Sequence, residues 1–134
     1  MDKELIEQQL YRYFDGLYLS DVNVLKKVFH DKAHYSCTTG GNLLHLSMPE
    51  YFERVKNRPS PASKNQTRKD QIIFIDVIGK YTALAKVKCV IEPKHFTDLL
   101  SLILIDGNWK VISKVFDYVV MPSIESNVLL NESH

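Results

Sequence analysis

Apolar residues recur along this chain with two different periods. In the first third they repeat at helical steps. Ile6, Leu10, Phe14 and Leu17 fall three or four residues apart and form one stripe, flanked by Tyr13 and Tyr18. The spacing predicts a helix over residues 3–19, with Asp2 and Glu4 at the positive end of its dipole. Ser20-Asp21 stops it and caps a short second helix whose buried side is Val24, Leu25, Val28 and Phe29. His34 to Thr38 then alternates as a short strand, Thr39-Gly40-Gly41-Asn42 turns, and Leu43 to Leu46 returns. Ser47-Met48-Pro49-Glu50 is a capping box, so a third helix starts near Met48 and buries Tyr51, Phe52 and Val55. It fades in Asn57-Arg58-Pro59-Ser60-Pro61.

Beyond that loop the period becomes two. Gln71 to Ile78 reads as a strand, Gly79-Lys80 as a turn, and Tyr81 to Ile91 as a second strand. Ala83, Ala85, Val87, Cys89 and Ile91 share its buried face, and Thr82, Lys86 and Lys88 share the other. Glu92-Pro93-Lys94 breaks the run. Asp98 to Tyr118 then reads as a long hairpin closed by Asp106-Gly107-Asn108. A hairpin this apolar needs a covering layer. Helices followed by strands mean α+β. The expected architecture is a curved, mainly antiparallel sheet wrapped around three N-terminal helices, a cone with a pocket. The whole chain, 1–134, is expected to be one domain, with a core over about 3–118 and a loosely held tail after Met121-Pro122.

Composition narrows the partners. The chain is 45% hydrophobic, enough for a core, and carries 17 basic against 16 acidic residues, a net charge of +1. That balance argues for neither nucleic acid nor a membrane surface. No segment approaches the ~18 apolar residues of a membrane helix. The start, MDKELIEQQ, has no basic region ahead of an apolar run, so a cytoplasmic protein without a signal peptide is expected. Six basic residues and no acid lie between Arg54 and Lys69. Without interleaved aromatics they read as a solvated loop rather than a nucleic-acid groove, with an anion patch as the sharper alternative. Cys37 and Cys89 have no metal spacing, and His30, His34 and His45 flank the small hairpin without a helical His pair, so neither metal nor cofactor is called for.

Three stretches carry a family resemblance: Tyr13-Phe14-Asp15-Gly16-Leu17 with Ser20-Asp21, then Phe29-His30-Asp31-Lys32-Ala33, then Gly107 to Phe116 around Trp109. Together they resemble the nuclear transport factor 2-like superfamily, with its cystatin-like cone. Within it the chain is most similar to the group labelled "putative lumazine-binding", beside the polyketide-cyclase-like and ketosteroid-isomerase-like branches. The resemblance spans residues 3–118 and implies a fold and a homodimer joined through the sheet. It implies no single activity, since such folds host many. The isomerase pattern can be carried over only in part. Tyr13 holds the place of an oxyanion-donating tyrosine, but the general base falls near Cys37 and the second acid near Ser101, neither a carboxylate.

Lys114 is the most informative single residue. By strict alternation it shares a face with Ile112, Phe116 and Tyr118, opposite Trp109, Val111, Ser113 and Val115. If that face turns inward, burial lowers the lysine pKa and suits it to an anion or a Schiff base; if outward, it is a surface or rim lysine. Asp76 and Asp98 read first as strand-end or solvent-facing carboxylates, and otherwise as partners for Lys114. The expected ligand site is therefore Tyr13 and Lys114 as polar anchors, with Phe29, Tyr35, Phe52 and Phe116 as walls. Two functions fit: a protein that binds a small apolar or aromatic molecule, with enzymatic activity left open, or a non-catalytic interaction module whose cavity its own side chains fill. A cyclase- or dehydratase-like enzyme would need an inward acid or histidine, from Asp76, Asp98 or His34.

Overall fold

The computed structural model describes residues 2–121. Three helices, α1 (Asp2–Leu19), α2 (Val22–Val28) and α3 (Met48–Asn57), pack on one face of a six-stranded sheet. The strands are β1 (Phe29–Cys37), β2 (Leu44–Ser47), β3 (Gln71–Ile78), β4 (Thr82–Ile91), β5 (Lys94–Ile105) and β6 (Asn108–Val120), in spatial order β2-β1-β6-β5-β4-β3. Every pairing is antiparallel except β1 with β6, which is parallel, so the sheet is mixed. The predicted tail after Met121-Pro122 lies outside the described residues.

Local signals act where the sequence puts them. Asp21 caps α2 by accepting from the Val24 N–H at 3.2 Å. Ser47 and Glu50 form the reciprocal capping box of α3, with Pro49 in its first turn. Asp106 and Gly107 both adopt positive φ, 52° and 77°, the conformation that matches a two-residue turn to the twist of its strands. Gly16 lets α1 and α2 touch: a Cβ there would meet a Leu25 methyl at 2.6 Å. The boundaries differ most at β1, which begins at Phe29 rather than His34. Phe29 therefore leaves the end of α2 as a strand residue, and its backbone N–H closes that helix on Leu25.

The core lies between α1 and the sheet. Ile6, Leu10, Tyr13, Phe14 and Leu17 meet Ala83, Ala85, Val87, Leu100, Leu102 and Val111. The opposite face of the sheet exposes Phe74, Ile78, Leu99 and Val115, interspersed with Lys86, Lys88 and Asp117. No helix among the described residues is long and apolar enough to cross a membrane.

Candidate functional site

The site begins with a defect in the sheet. Ser101 pairs with Ser113, but Leu102 pairs with Val111, so Ile112 is an extra residue on β6. Such a bulge shifts the alternation by one position. Trp109, Val111, Lys114 and Phe116 consequently all lie on the buried face. Strict alternation placed Lys114 opposite Trp109 and Val111; the bulge corrects that reading and turns Lys114 inward, 5% exposed.

Four rings surround the Lys114 ammonium. Its Nζ stands 5.0 Å from the Tyr13 centroid, 5.3 Å from Tyr35, 5.3 Å from Tyr51 and 5.2 Å from Phe116. These separations are in the range where a ring face attracts a cation, most strongly when water is excluded. Each ring comes from a different element: Tyr13 from α1, Tyr35 from β1, Tyr51 from α3 and Phe116 from β6. Burial pulls the ammonium pKa down, but Tyr51, Asp98, Tyr35 and Cys89 outweigh it, and the pKa stands above the ordinary lysine value. The expected depression is thus reversed. A lysine held protonated is a poor nucleophile, so Schiff-base chemistry at neutral pH is disfavoured and recognition of an anion is favoured.

Asp98 is the second buried charge, with no exposed surface. Its Oδ2 accepts from the Tyr13 hydroxyl at 2.6 Å, and its Oδ1 has no partner. It sits diagonally across the β5–β6 ladder from Lys114, because Asp98 pairs with Phe116 and Leu100 pairs with Lys114. The reading of Asp98 as a solvent-facing carboxylate is therefore wrong. Its own alternation with Leu100 and Leu102 was the signal that it faces the core. Asp76, by contrast, is exposed on β3. Burial and then Asp98 push the Tyr13 hydroxyl pKa well up, and the same two causes raise the Cys89 thiol to about 12. Cys89 is therefore an unreactive core thiol.

Two clefts open on opposite sides of α3. The larger, about 880 Å³, is lined by Tyr35, Tyr51, Phe96, Phe116 and Tyr118, with Arg54, Arg58, Lys64 and Lys94 among its charged rim. Three of the four rings around Lys114, those of Tyr35, Tyr51 and Phe116, thus line it. The smaller, about 520 Å³, lies between α2 and α3 and is lined by Val22, Phe29, Met48, Pro49 and Phe52 with Lys26 and Lys56. The six predicted site residues divide accordingly. Tyr13 and Lys114 are interior, Tyr35 and Phe116 line the larger cleft, and Phe29 and Phe52 line the smaller one. Phe29 and Phe52 do not share a wall with Tyr35. They touch the Tyr51 ring from behind, with centroids at 5.5 and 5.7 Å, while Tyr35 stacks on it at 4.7 Å.

Tyr51 was read only as a core residue. It is the hinge of the whole arrangement, and its hydroxyl is buried without a hydrogen-bond partner. The basic loop is split in function. Arg54, Arg58 and Lys64 reach the larger cleft, whereas Arg68 binds Asp15 and Asp70, each at 2.8 Å. The imidazoles of His34 and His45 stack at 4.9 Å on exposed strand positions, and His45 Nδ1 meets Ser36 at 2.7 Å. Cys37 lines the larger cleft with no carboxylate beside it in sequence, and Ser101 alternates off the buried face.

The family described as "Putative lumazine-binding" matches residues 1–117. No curated protein matches the chain. Solved structures do. An NTF2-like protein of unknown function from Shewanella baltica is 24% identical, with 91% of this chain and 95% of that one covered and a TM-score of 0.79. A second, from Silicibacter pomeroyi, is 21% identical over 88% and 96%, with a TM-score of 0.79. A ketosteroid isomerase-like protein from Erwinia carotovora atroseptica is 12% identical over 87% and 95%, with a TM-score of 0.67. At these identities the likeness is one of fold.

Proposed function

The chain belongs to the family described as "Putative lumazine-binding", with the NTF2-like, cystatin-like fold, and from that starting point we propose that it binds a small molecule in the larger cleft. One observation carries the reading. Tyr51, which lines a cleft of about 880 Å³, has a buried hydroxyl without a hydrogen-bond partner among the described residues, and the Lys114 ammonium lies just behind the Tyr35, Tyr51 and Phe116 rings that line the same cleft. Buried polar groups in folded proteins are nearly always paired, so unpaired ones facing a cleft favour a missing partner. Tyr35 and Phe116 are its apolar walls, Lys114 is its anchor, and Tyr13 acts from behind by holding Asp98. Phe29 and Phe52 support Tyr51 without reaching the ligand.

The same reading takes the sheet as curved into a cone over the helices, and residues 1–134 as one domain. It takes the protein as a homodimer joined through the sheet face that exposes Phe74, Leu99 and Val115, an apolar patch of the kind that marks an interface. Two free buried thiols suit a reducing cytoplasm. The protein interior supports the alternative, a non-catalytic dimerisation module: Tyr13, Tyr51, Leu100 and Leu102 leave the space between helices and sheet filled.

Native mass spectrometry of the purified protein separates the two. The expected result is a dimer carrying a small adduct that leaves on denaturation. A bare dimer that also gives no thermal shift with a metabolite collection supports the interaction module instead.

A further inference from the structure

The charge on the floor of the larger cleft selects among ligands. Three ion pairs occur among the described residues, His30–Asp31, Arg68–Asp15 and Arg68–Asp70, and none involves Lys114. Its ammonium is therefore buried with ring faces around it and no hydrogen-bond acceptor from those residues. Ring faces offset charge but leave directional N–H donors unused. Tyr51 lines the same cleft, and its buried hydroxyl has no partner among the described residues. A third buried donor, Arg58 Nε, is unpartnered in the cleft wall. Unused donors on an aromatic floor define the complement: an acceptor-rich, flat group.

Resting on the small-molecule reading above, we propose that the cleft takes a flat conjugated acid, whose carboxylate accepts from Lys114 Nζ and Tyr51 Oη while its ring lies against Tyr35, Phe96 and Phe116. An organic cation is excluded by the same geometry, because the rings that would face it already face Lys114. A neutral carbonyl compound could accept the same hydrogen bonds, but it would bring no negative charge to an ammonium that makes no ion pair among the described residues. Charge-assisted hydrogen bonds are the stronger kind, so the acid wins. The rim points the same way: Arg54, Arg58, Lys64 and Lys94 outnumber Glu50, Glu53 and Glu92. Asp98 does not compete for the ligand's place, since it does not line the cleft, its Oδ2 is engaged by the Tyr13 hydroxyl and it makes no ion pair with the ammonium.

The test is isothermal titration with three probes of one shape: 2-naphthoate, 2-naphthamide and 2-naphthylmethylammonium. We expect 2-naphthoate to bind at least about tenfold more tightly than the amide, as one charge-assisted contact implies, and the ammonium not to bind. Tyr51→Phe should weaken the acid about tenfold and the amide by clearly less, while Lys114→Met should bring acid and amide to the same affinity. Tyr51→Phe keeps the ring and so decides the matter even where Lys114→Met does not fold. Equal binding of acid and amide, unaltered in Tyr51→Phe, overturns the acid and leaves the small-molecule reading standing. So does failure of all three probes when an adduct is seen by native mass spectrometry. Failure of all three together with no adduct overturns both.

Discussion

The two clefts beside α3 share a wall and differ in what lies behind it. Helix α3 gives Tyr51, Arg54 and Asn57 to the larger and Met48, Phe52 and Lys56 to the smaller. Behind the smaller cleft stand Phe29 and Met48, buried and apolar, with nothing left unsatisfied. Behind the larger stand Lys114, the Asp98–Tyr13 pair and an unpaired Tyr51 hydroxyl. A concave apolar surface alone does not mark chemistry; a buried group without a partner does, because folding has desolvated it with no return. Phe29 and Phe52 are as aromatic as Tyr35 and Phe116, but they line the smaller cleft, where no buried polar group is left without a partner.

The largest effect expected from this difference is on stability. Asp98→Ala removes the nearest buried anion to Lys114 and orphans the Tyr13 hydroxyl, so it should lower stability by about 3–5 kcal/mol in urea unfolding. Phe52→Ala, at a half-buried position on the apolar side, should lower it by clearly less. Equal losses would mean that the polar floor has no special energetic standing, and the contrast between the clefts would fail.

A middle-sized effect tests the wall itself. Ser47→Ala removes the side-chain half of the α3 capping box and should cost about 1 kcal/mol. The hydrogen bonds from the Ser47 backbone and side chain hold the exposed Glu50 carboxyl below its ordinary value of 4.5. A depressed carboxyl contributes stability above its unfolded pKa and loses it as pH falls through the folded one. The gap between wild type and Ser47→Ala in urea midpoint should therefore be full at neutral pH and narrow below pH 4.5. A gap that stays constant into acid would separate the cap from Glu50.

Much of the fold was legible because its signals are local. The capping box at Ser47, the Asp106-Gly107 turn and the alternation of Ala83 to Cys89 each act within a few residues, and each sits where its pattern places it. The parallel β1–β6 pair was not legible, since strand direction depends on which free edge a distant hairpin meets. Nor was the inward turn of Lys114, which depends on one extra residue at Ile112 that no periodicity announces. Tyr13 and Lys114, expected as polar anchors of a ligand site, stand with the Lys114 Nζ 5.0 Å from the Tyr13 ring centroid. Asp98 was undervalued because a carboxylate in a strand is usually solvent-facing, although its neighbours Leu100 and Leu102 on the same face argued otherwise.

The smallest effect is the sharpest test of the comparison. The Tyr51 hydroxyl is desolvated without a hydrogen bond, which is unfavourable for the free protein. Tyr51→Phe removes that hydroxyl and preserves the ring that touches Tyr35, Phe29 and Phe52. Thermal and urea unfolding should then show stability unchanged or raised by up to about 1 kcal/mol, since the lost group made no bond to lose. A core tyrosine whose hydroxyl serves the fold would give the opposite sign. A loss of more than about 1 kcal/mol would identify the hydroxyl as a structural donor, and the floor of the larger cleft would then be as fully satisfied as that of the smaller.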